Sequence, residues 1–161
     1  MSISYREPNF EGLTVKKLSR KEFYDIYTRV PRLCVDCLIY DKYDDGKVFL
    51  TKRCIQPNIG YWHIPGGTVL MGESVPQAVQ RIALEETGFI VSIGELIGYI
   101  EYRDYDIGRQ SISMVFICRK EGGDFRGSEQ GNIGEWFYVG DAEIPDPMYP
   151  EQVKLLLEIN R

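Results

Sequence analysis

A glycine-rich loop that runs directly into a capped helix constrains the fold more than any other part of this sequence. The stretch at 67–89 reads GTVLMGESVPQAVQRIALEETGF. Ser74 is a favourable N-cap residue, and Gln77, three residues later, completes a capping-box pattern. Gly88 supplies a C-terminal stop. The pattern therefore predicts a helix over 75–87 that the chain enters from the loop.

Charged side chains cluster on this helix. Arg81 and Glu85 are four residues apart, so they lie on one face and can pair. Glu85 and Glu86 are neighbours, about 100° apart around the helix axis, so both can reach one ion from the helix edge. Carboxylates placed so close together repel each other, and a hard cation such as Mg²⁺ or Mn²⁺ would relieve the repulsion. The alternative is a solvated acidic helix end with a single salt bridge.

The spacing of these residues matches the Nudix box, G-x(5)-E-x(7)-R-E-U-x-E-E-x-G-U, in which U is a bulky apolar residue. Six positions match at fixed offsets, followed by an apolar Phe89; they are Gly67, Glu73, Arg81, Glu85, Glu86 and Gly88. The chain therefore resembles a Nudix hydrolase. The resemblance implies an α/β (α+β) architecture, the Nudix fold, in which α-helices sandwich a mixed β-sheet. We expect a single domain over 1–161, with the box at 67–89.

The resemblance also implies an activity and a set of site residues. We expect an enzyme in which a metal-activated water attacks phosphorus in an anhydride. Mg²⁺ is the expected cofactor, with Mn²⁺ as the alternative. The implied catalytic residues are Arg81, Glu85 and Glu135, and the implied metal ligands are Gly67, Glu85 and Glu86. The general base is left open among Glu85, Glu129 and Glu135.

One position departs from the box. The glutamate expected directly after Arg81 is Ile82, which lies on the same helix face as Glu85 and Glu86. In many Nudix enzymes this glutamate binds metal or acts as the general base, and isoleucine can do neither. Either Ile82 extends the apolar stripe of the helix, or the metal site has lost one anionic ligand.

An aliphatic residue at this position also occurs in the GDP-mannose mannosyl hydrolase branch of the family. The strand around Asp36, and the spacing from Arg53 to Gly-Tyr-Trp at 60–62, resemble that branch too. By this resemblance Asp36 and Arg53 contact a nucleoside diphosphate, and a guanidinium suits a phosphate because it can bind two oxygens at once. The histidine that this branch uses as general base is replaced by Gly131.

Three functions follow, and the first is favoured. It is cleavage of the pyrophosphate in a nucleoside diphosphate linked to another group, such as an NDP-sugar. The second is a GDP-mannose-type glycosyl hydrolase, and the third is a catalytically weak nucleotide-binding or regulatory domain. Loops rich in aromatic and basic residues are candidates to stack a base and bind phosphates; the residues are Tyr99, Tyr102, Tyr105, Arg103 and Arg109. Of these, Tyr102 is the expected substrate-binding residue.

Net charge and hydropathy exclude other classes of partner. Nineteen basic and 24 acidic residues give a formal net charge of −5, whereas proteins that bind polymeric nucleic acid usually carry a basic surplus. No apolar run approaches the ~18–20 residues of a membrane span, and the N-terminus lacks the pattern of a secretory signal. We therefore expect no polymeric nucleic acid partner, no membrane contact and a cytoplasmic location. Whether the chain forms a homodimer is left open.

The remaining elements follow from apolar periodicity. A polar turn at 41–46 is expected to join the first two strands in a hairpin. The expected helices lie at 18–29 and 151–159, and the expected strands at 33–40, 47–54, 89–102, 111–119 and 135–139.

Cys34 and Cys37 form a C-x-x-C pattern inside a predicted strand. A strand points residues three apart to opposite faces, and no second pair completes a zinc site. We therefore expect buried, reduced cysteines and not a zinc knuckle or a redox pair. His63, the one histidine of the sequence, is expected to be structural.

Overall fold

The structure is a computed structural model that describes residues 14–44, 46–104, 108–139 and 144–159. Within these residues the chain forms three helices and seven strands. In chain order they are α1 (Arg20–Tyr27), β1 (Arg32–Tyr40), β2 (Lys47–Arg53), β3 (Trp62–His63), β4 (Gly66–Thr68), α2 (Val75–Thr87), β5 (Ile90–Asp104), β6 (Arg109–Gly122), β7 (Gly131–Tyr138) and α3 (Pro150–Glu158). Every helix and strand predicted from the sequence is present, with its ends shifted by a few residues at most. The strands β3 and β4 were not predicted, because strands of two or three residues leave no alternation in a sequence.

The seven strands form one mixed sheet in the order β3-β2-β1-β6-β5, with β4 paired to β1 and β7 paired to β2. The predicted hairpin is confirmed as an antiparallel pair, although its register is set by a single partnership, Tyr40 with Val48. The main partner of β1 is β6, which runs parallel to it from Arg32–Ser111 to Tyr40–Arg119. From its central position β1 sends Arg32, Cys34 and Asp36 to one face of the sheet and Val35 and Cys37 to the core on the other.

Local sequence signals fix the ends of α2. The Ser74 hydroxyl accepts a hydrogen bond from the Gln77 amide, and the Gln77 side chain accepts one from the Ser74 amide, so the predicted capping box is confirmed. Gly88 ends the helix in the left-handed region, with φ of 84°, a conformation that costs glycine little. The helix is therefore held at the predicted residues, and its charged side chains have fixed directions.

Two apolar clusters pack on the two faces of the sheet. The cluster beneath α2 includes Val35, Cys37, Phe49, Val79, Ile82 and Phe89. The cluster beneath α3 includes Leu38, Val48, Leu50, Trp62, Ile64 and Leu156. Alternate residues of β1 and β2 feed opposite clusters, as the period of a strand requires. A sheet sandwiched between helices is thus confirmed.

The four cysteines carry no disulfide. Cys37 lies in the cluster beneath α2, whereas Cys34 lines the pocket on the other face of the sheet. Both side chains are buried, as predicted. None of the helices within the described residues has the length and hydropathy of a membrane-spanning segment.

Candidate active site

Arg81 ties the start of α2 to the loop that precedes it. Its Nε and Nη2 donate to the two carboxylate oxygens of Glu73 over 2.8 and 2.6 Å, and Nη2 also donates to the Thr68 carbonyl over 2.9 Å. Burial disfavours the charged form of Glu73, but the bonds from Arg81 and from the Leu70 amide outweigh it, and the pKa of Glu73 is lowered. The two hydrogen bonds between Arg81 and Glu73 hold the loop against α2. Arg81, which was predicted to be a catalytic residue, is thereby positioned to orient the Glu85 carboxylate of α2.

Glu85 lies between two cations at the exposed edge of α2. Arg81 Nη1 donates to its Oε2 over 3.1 Å, as the spacing of four residues predicts. Lys17 Nζ lies 2.9 Å from its Oε1. The Lys17 contact could not be predicted from the sequence, because Lys17 precedes α1 and is far from Glu85 along the chain. The Glu85 side chain keeps 40% of its exposure, so it remains accessible to an ion from solvent.

Glu86 is buried, with 7% exposure, and its carboxylate is held by uncharged donors. Ser128 Oγ donates to Oε2 and Gln130 Nε2 donates to Oε1, each over 3.1 Å. Burial raises the pKa of Glu86, and the neighbouring charge of Glu85 adds to the effect, while the Ser128 bond and Arg53 oppose it. Ser128 and Gln130 lie in the loop before β7, and the sequence offered no pattern that would link them to α2.

Ile82 packs beside Gly67. It is 2% exposed and belongs to the cluster beneath α2. A β-carbon placed on Gly67 would lie 3.2 Å from Ile82 Cδ1. Of the two interpretations of Ile82, the structure supports the apolar stripe, because the side chain is enclosed by apolar neighbours.

The oxygen donors around Glu85 and Glu86 fit a hard cation. Two adjacent carboxylates, one of which has a raised pKa, would both be stabilised by a positive charge between them. No group of three or more His, Cys, Asp or Glu side chains within the described residues is arranged to hold a metal. Mg²⁺ is usually bound through one or two carboxylates plus water and substrate phosphates, so two carboxylates suffice for it.

A pocket of about 780 Å³ opens on the face of the sheet opposite α2. Its wall includes all three predicted substrate-binding residues, Asp36, Arg53 and Tyr102, together with Gly66 and Gly67. A β-carbon on Gly66 would collide with the Asp36 carboxylate. Glycine is therefore required where β4 passes the buried acid, and the glycine pair brings the loop of the box to the pocket edge.

Asp36 is the most deeply placed acid of this pocket. Tyr102 donates its hydroxyl proton to Asp36 Oδ2 over 2.7 Å and accepts a hydrogen bond from Gln152 Nε2 over 2.8 Å. Burial raises the pKa of Asp36 to about 6, although the hydrogen bond from Tyr102 favours its charged form. The chain of bonds links β1, β5 and α3, which makes the pocket floor a rigid polar surface.

Comparison with known proteins decides the family. The sequence profile of the NUDIX domain matches residues 30–159. This chain belongs to the Nudix family. It is 36% identical over 123 residues to an ADP-ribose pyrophosphatase from Methanocaldococcus jannaschii, and the match covers 76% of this chain and 70% of that relative.

Solved structures agree with the Nudix assignment. A MutT NUDIX hydrolase from Burkholderia pseudomallei is similar with a TM-score of 0.70 and 27% identity, over 80% of this chain and 97% of the other. An ADP-ribose pyrophosphatase from Streptococcus suis 89-1591 is similar with a TM-score of 0.62 and 25% identity, over 82% and 93%. The expected Nudix fold is confirmed, and so is the expectation of an enzyme that hydrolyses phosphorus anhydrides. These matches lend no specific support to the GDP-mannose branch.

Arg53 lies between the pocket and the acidic end of the Nudix helix. Its Nε donates to the Pro57 carbonyl over 2.8 Å, which holds the side chain at the pocket wall. Its charge also acts on Glu86, where it favours the ionised carboxylate. Arg53 is thus a cation of the pocket wall that acts electrostatically on Glu86.

The candidates for general base differ in their positions. Pairing of β2 with β7 sets Leu50 opposite Glu135 and Val48 opposite Phe137. Glu135 therefore faces the cluster beneath α3, and the structure does not bring it to the carboxylates of α2. Glu129 is exposed and lies between Ser128 and Gln130, the two residues that hold Glu86. The placement of Glu135 does not support the catalytic role predicted for it.

Two further positions bear on catalysis. His63 is buried, its ring contacts the Thr51 hydroxyl and the Ile64 carbonyl, and burial lowers its pKa to about 4. It is therefore a neutral structural residue, as expected. A β-carbon on Gly131 would lie 2.9 Å from the Lys52 carbonyl oxygen, so this position cannot carry a histidine without a backbone shift.

The aromatic and basic residues proposed for base stacking are dispersed. Tyr102, Arg103 and Arg109 line the pocket, whereas Tyr99 is 68% exposed and does not line it. Tyr105 lies outside the described residues. Within the described part of the chain, the pocket thus retains three of the five predicted residues.

Proposed function

We propose that this Nudix enzyme uses Mg²⁺ to cleave the pyrophosphate bond of a nucleoside diphosphate linked to a second group, such as ADP-ribose or an NDP-sugar. One observation carries the proposal: the pocket that contains Asp36, Arg53 and Tyr102 reaches Gly67 of the box, and Arg53 relates it to Glu86. The names of the M. jannaschii and S. suis relatives favour ADP-ribose as the first substrate to test.

The dimensions and chemistry of the pocket support this substrate class. Its volume of about 780 Å³ lies in the usual range for sites that enclose a small molecule. Tyr61 and Tyr149 at its wall offer ring faces for a base, with centroids 5.6 Å apart. Arg53 offers a guanidinium for phosphate oxygens. A nucleoside diphosphate derivative needs both kinds of contact.

The residues of α2 have distinct roles in the proposed reaction. Glu85, Glu86 and the Gly67 carbonyl would hold the divalent cation, while Arg81 orients Glu85 and the Glu73 loop. A cation bound there stabilises charge on a phosphoryl oxygen and makes water more acidic. We propose Glu129 as the general base, because it is the exposed carboxylate beside the residues that hold Glu86. A cytoplasmic location stays a prediction.

A substrate panel tests the proposal. ADP-ribose, NDP-sugars, dinucleotides and nucleoside triphosphates are incubated with Mg²⁺, and the products are identified by chromatography. ADP-ribose should give AMP and ribose 5-phosphate, and hydrolysis in ¹⁸O-labelled water should place the label in a phosphate-containing product. The Glu129→Gln variant should be much slower than wild type, and Glu135→Gln is the matched control. Absence of pyrophosphate cleavage across the panel would contradict the proposal.

A GDP-mannose-type glycosyl hydrolase is the second candidate, because Asp36 and Arg53 lie together in the pocket as that branch implies. Against it stands Gly131, whose surroundings exclude the histidine that the branch uses as base. Release of unphosphorylated sugar that alone carries the ¹⁸O label would establish this second function and overturn the first. Binding of nucleotides without turnover would point to the third function, a regulatory domain.

A further inference from the structure

The pocket extends along the sheet towards α1, away from the Gly66–Gly67 edge. Its floor there is formed by β1 and β6, where Arg32 pairs with Ser111 and Cys34 with Ser113. Residues two apart on a strand share a face, so this floor continues the surface that carries Asp36. Arg32 lies four residues from Asp36, or roughly 13 Å along the strand.

The helix α1 closes this end of the pocket. Phe23, Tyr24 and Tyr27 line it, although no residue of α1 is buried. The helix at 20–27 precedes the NUDIX match, which begins at residue 30. This end of the pocket therefore combines residues of the NUDIX match with a helix that lies outside it.

Two arginines converge under α1. The guanidinium carbons of Arg32 and Arg109 each lie 5.5 Å from the centroid of the Phe23 ring, and that of Arg109 lies 5.1 Å from the centroid of Tyr24. Among the described side chains, no carboxylate forms a salt bridge with either arginine. The Nε of Arg32 is buried and has no hydrogen-bond partner.

Such an arrangement is incomplete without an anion. A buried guanidinium N–H without an acceptor is costly, and two guanidinium groups against one ring repel each other. Contacts with aromatic rings offset part of this cost but satisfy no N–H donor. An anion between the two arginines would supply acceptors and cancel the repulsion.

We propose that Arg32 and Arg109 form a second phosphate subsite, which binds a phosphate monoester carried by the substrate at a distance from the cleaved pyrophosphate. The inference rests on the proposed function for the identity of the substrate. The preferred substrate is thus a nucleoside diphosphate derivative with one additional phosphate. The arginines position the substrate and take no part in bond cleavage.

Phosphate binding is measured first, without turnover. Inorganic phosphate is titrated into the full-length protein, followed by ³¹P NMR and by the rise in melting temperature. Saturable binding should occur in wild type and in Arg20→Gln, and should be lost in the Arg32→Gln/Arg109→Gln double variant. Arg20 is the matched control, because it lies 5.9 Å from the centroid of the Tyr24 ring but does not line the pocket. Equal phosphate binding in wild type and the double variant would overturn the subsite.

Turnover then tests the substrate class. The value of kcat/KM is compared for ADP-ribose, ADP-ribose with a phosphate on the adenosine ribose, and ADP-ribose with a phosphate on the terminal ribose. Wild type should prefer one phosphorylated form by about tenfold or more, as expected for a charged hydrogen bond. The ratio should fall towards one in the double variant, and Arg109→Lys should retain part of the preference. No preference in wild type, or one that survives in the double variant, would overturn the proposal.

The measurements of phosphate binding and of turnover together distinguish failure of the subsite from failure of the proposed function. If Arg32 and Arg109 only hold α1 against the sheet, the double variant should melt at a lower temperature by the same amount with and without phosphate. Its kcat/KM would then change by one common factor for all three substrates, which would also overturn the subsite. If no ADP-ribose derivative is cleaved but phosphate binding depends on both arginines, the subsite stands and the proposed function fails.

Discussion

Ile82 on α2 and Gly67 on β4 are in direct apposition. A β-carbon at position 67 would lie 3.2 Å from Ile82 Cδ1, and Ile82 is 2% exposed. The position that carries a glutamate in the Nudix box pattern is therefore filled by an apolar side chain that packs against Gly67. The junction between α2 and the loop that precedes it is therefore part of the apolar core.

Ile82→Glu should destabilise the protein strongly. A carboxylate in this apolar site has no partner, and we expect a loss of about 3 kcal/mol or more in the free energy of unfolding. The control is Leu84→Glu on the same helix, where 44% exposure predicts a change within about 0.5 kcal/mol. Urea denaturation with and without Mg²⁺ measures both. Full recovery of the Ile82→Glu variant on addition of Mg²⁺ would show that the new carboxylate reaches a cation, against our interpretation.

Glu73 and Arg81 should be energetically coupled. Their two hydrogen bonds of 2.6 and 2.8 Å are mostly shielded from solvent, with 3% exposure for Glu73 and 22% for Arg81. A double-mutant cycle with Glu73→Gln and Arg81→Lys should give a coupling energy of about 1–3 kcal/mol. The exposed Lys21–Asp25 pair is the control and should show little coupling. If the effects of the two changes were additive, Glu73 and Arg81 would not be coupled, which would contradict this prediction.

Glu85 and Glu86 should be required for Mg²⁺ and dispensable for folding. Glu86→Gln removes a charge that burial disfavours, as the raised pKa of this carboxyl indicates. Without metal the variant should therefore be at least as stable as wild type at neutral pH. Mg²⁺ should raise the melting temperature of wild type but not of Glu85→Gln or Glu86→Gln, and activity should fall at least about a hundredfold.

The control for these variants is Glu95→Gln, an exposed carboxylate on β5. It should keep both the response to Mg²⁺ and the activity of wild type. Undiminished activity in both Glu85→Gln and Glu86→Gln would remove these residues from the site. Removal of divalent cations with EDTA should abolish wild-type activity, and Mg²⁺ should restore it.

Asp36 and His63 should affect stability in opposite directions over the same pH range. Burial raises the pKa of Asp36 from 3.8 to about 6, so the folded state holds a proton that the unfolded chain releases. The free energy of unfolding therefore falls as the pH rises through this range. Burial lowers the pKa of His63 from 6.5 to about 4, so the unfolded chain holds the extra proton. For this group the free energy of unfolding rises with pH.

Single variants separate the two groups. In Asp36→Asn the free energy of unfolding should rise by about 2–3 kcal/mol between pH 4 and 7, because the contribution of His63 is then no longer offset by that of Asp36. In His63→Gln it should fall over the same range. Wild type should show a weak dependence because the two contributions nearly cancel. Urea denaturation at intervals of pH measures all three, and parallel curves would contradict the assigned burial effects.

The sequence predicted α2 and its caps because the relevant interactions are local. The N-cap bonds of Ser74 and Gln77 and the stop at Gly88 depend on residues within one or two turns. The spacing of the box likewise predicted which charged residues share a helix edge. The Arg81–Glu85 contact needs no more than this periodicity.

Contacts across the fold could not be predicted in the same way. Lys17, Ser128 and Gln130 contact the two glutamates of α2, but each reaches them through tertiary packing. Glu135 shows the converse case. Its place in the sequence made it a candidate base, but the register of β7 against β2 turns it to the other face, and a register cannot be read from one strand alone.

The alternation of β1 has a consequence for how such an enzyme can diversify. Val35 and Cys37 face the core beneath α2, whereas Arg32, Cys34 and Asp36 face the pocket. Substitutions at positions 32, 34 and 36 can therefore alter ligand preference while the packing at positions 35 and 37, and with it the position of α2, is preserved. An insertion or deletion of one residue would exchange the two sets, so this strand should tolerate replacement but not a change of length.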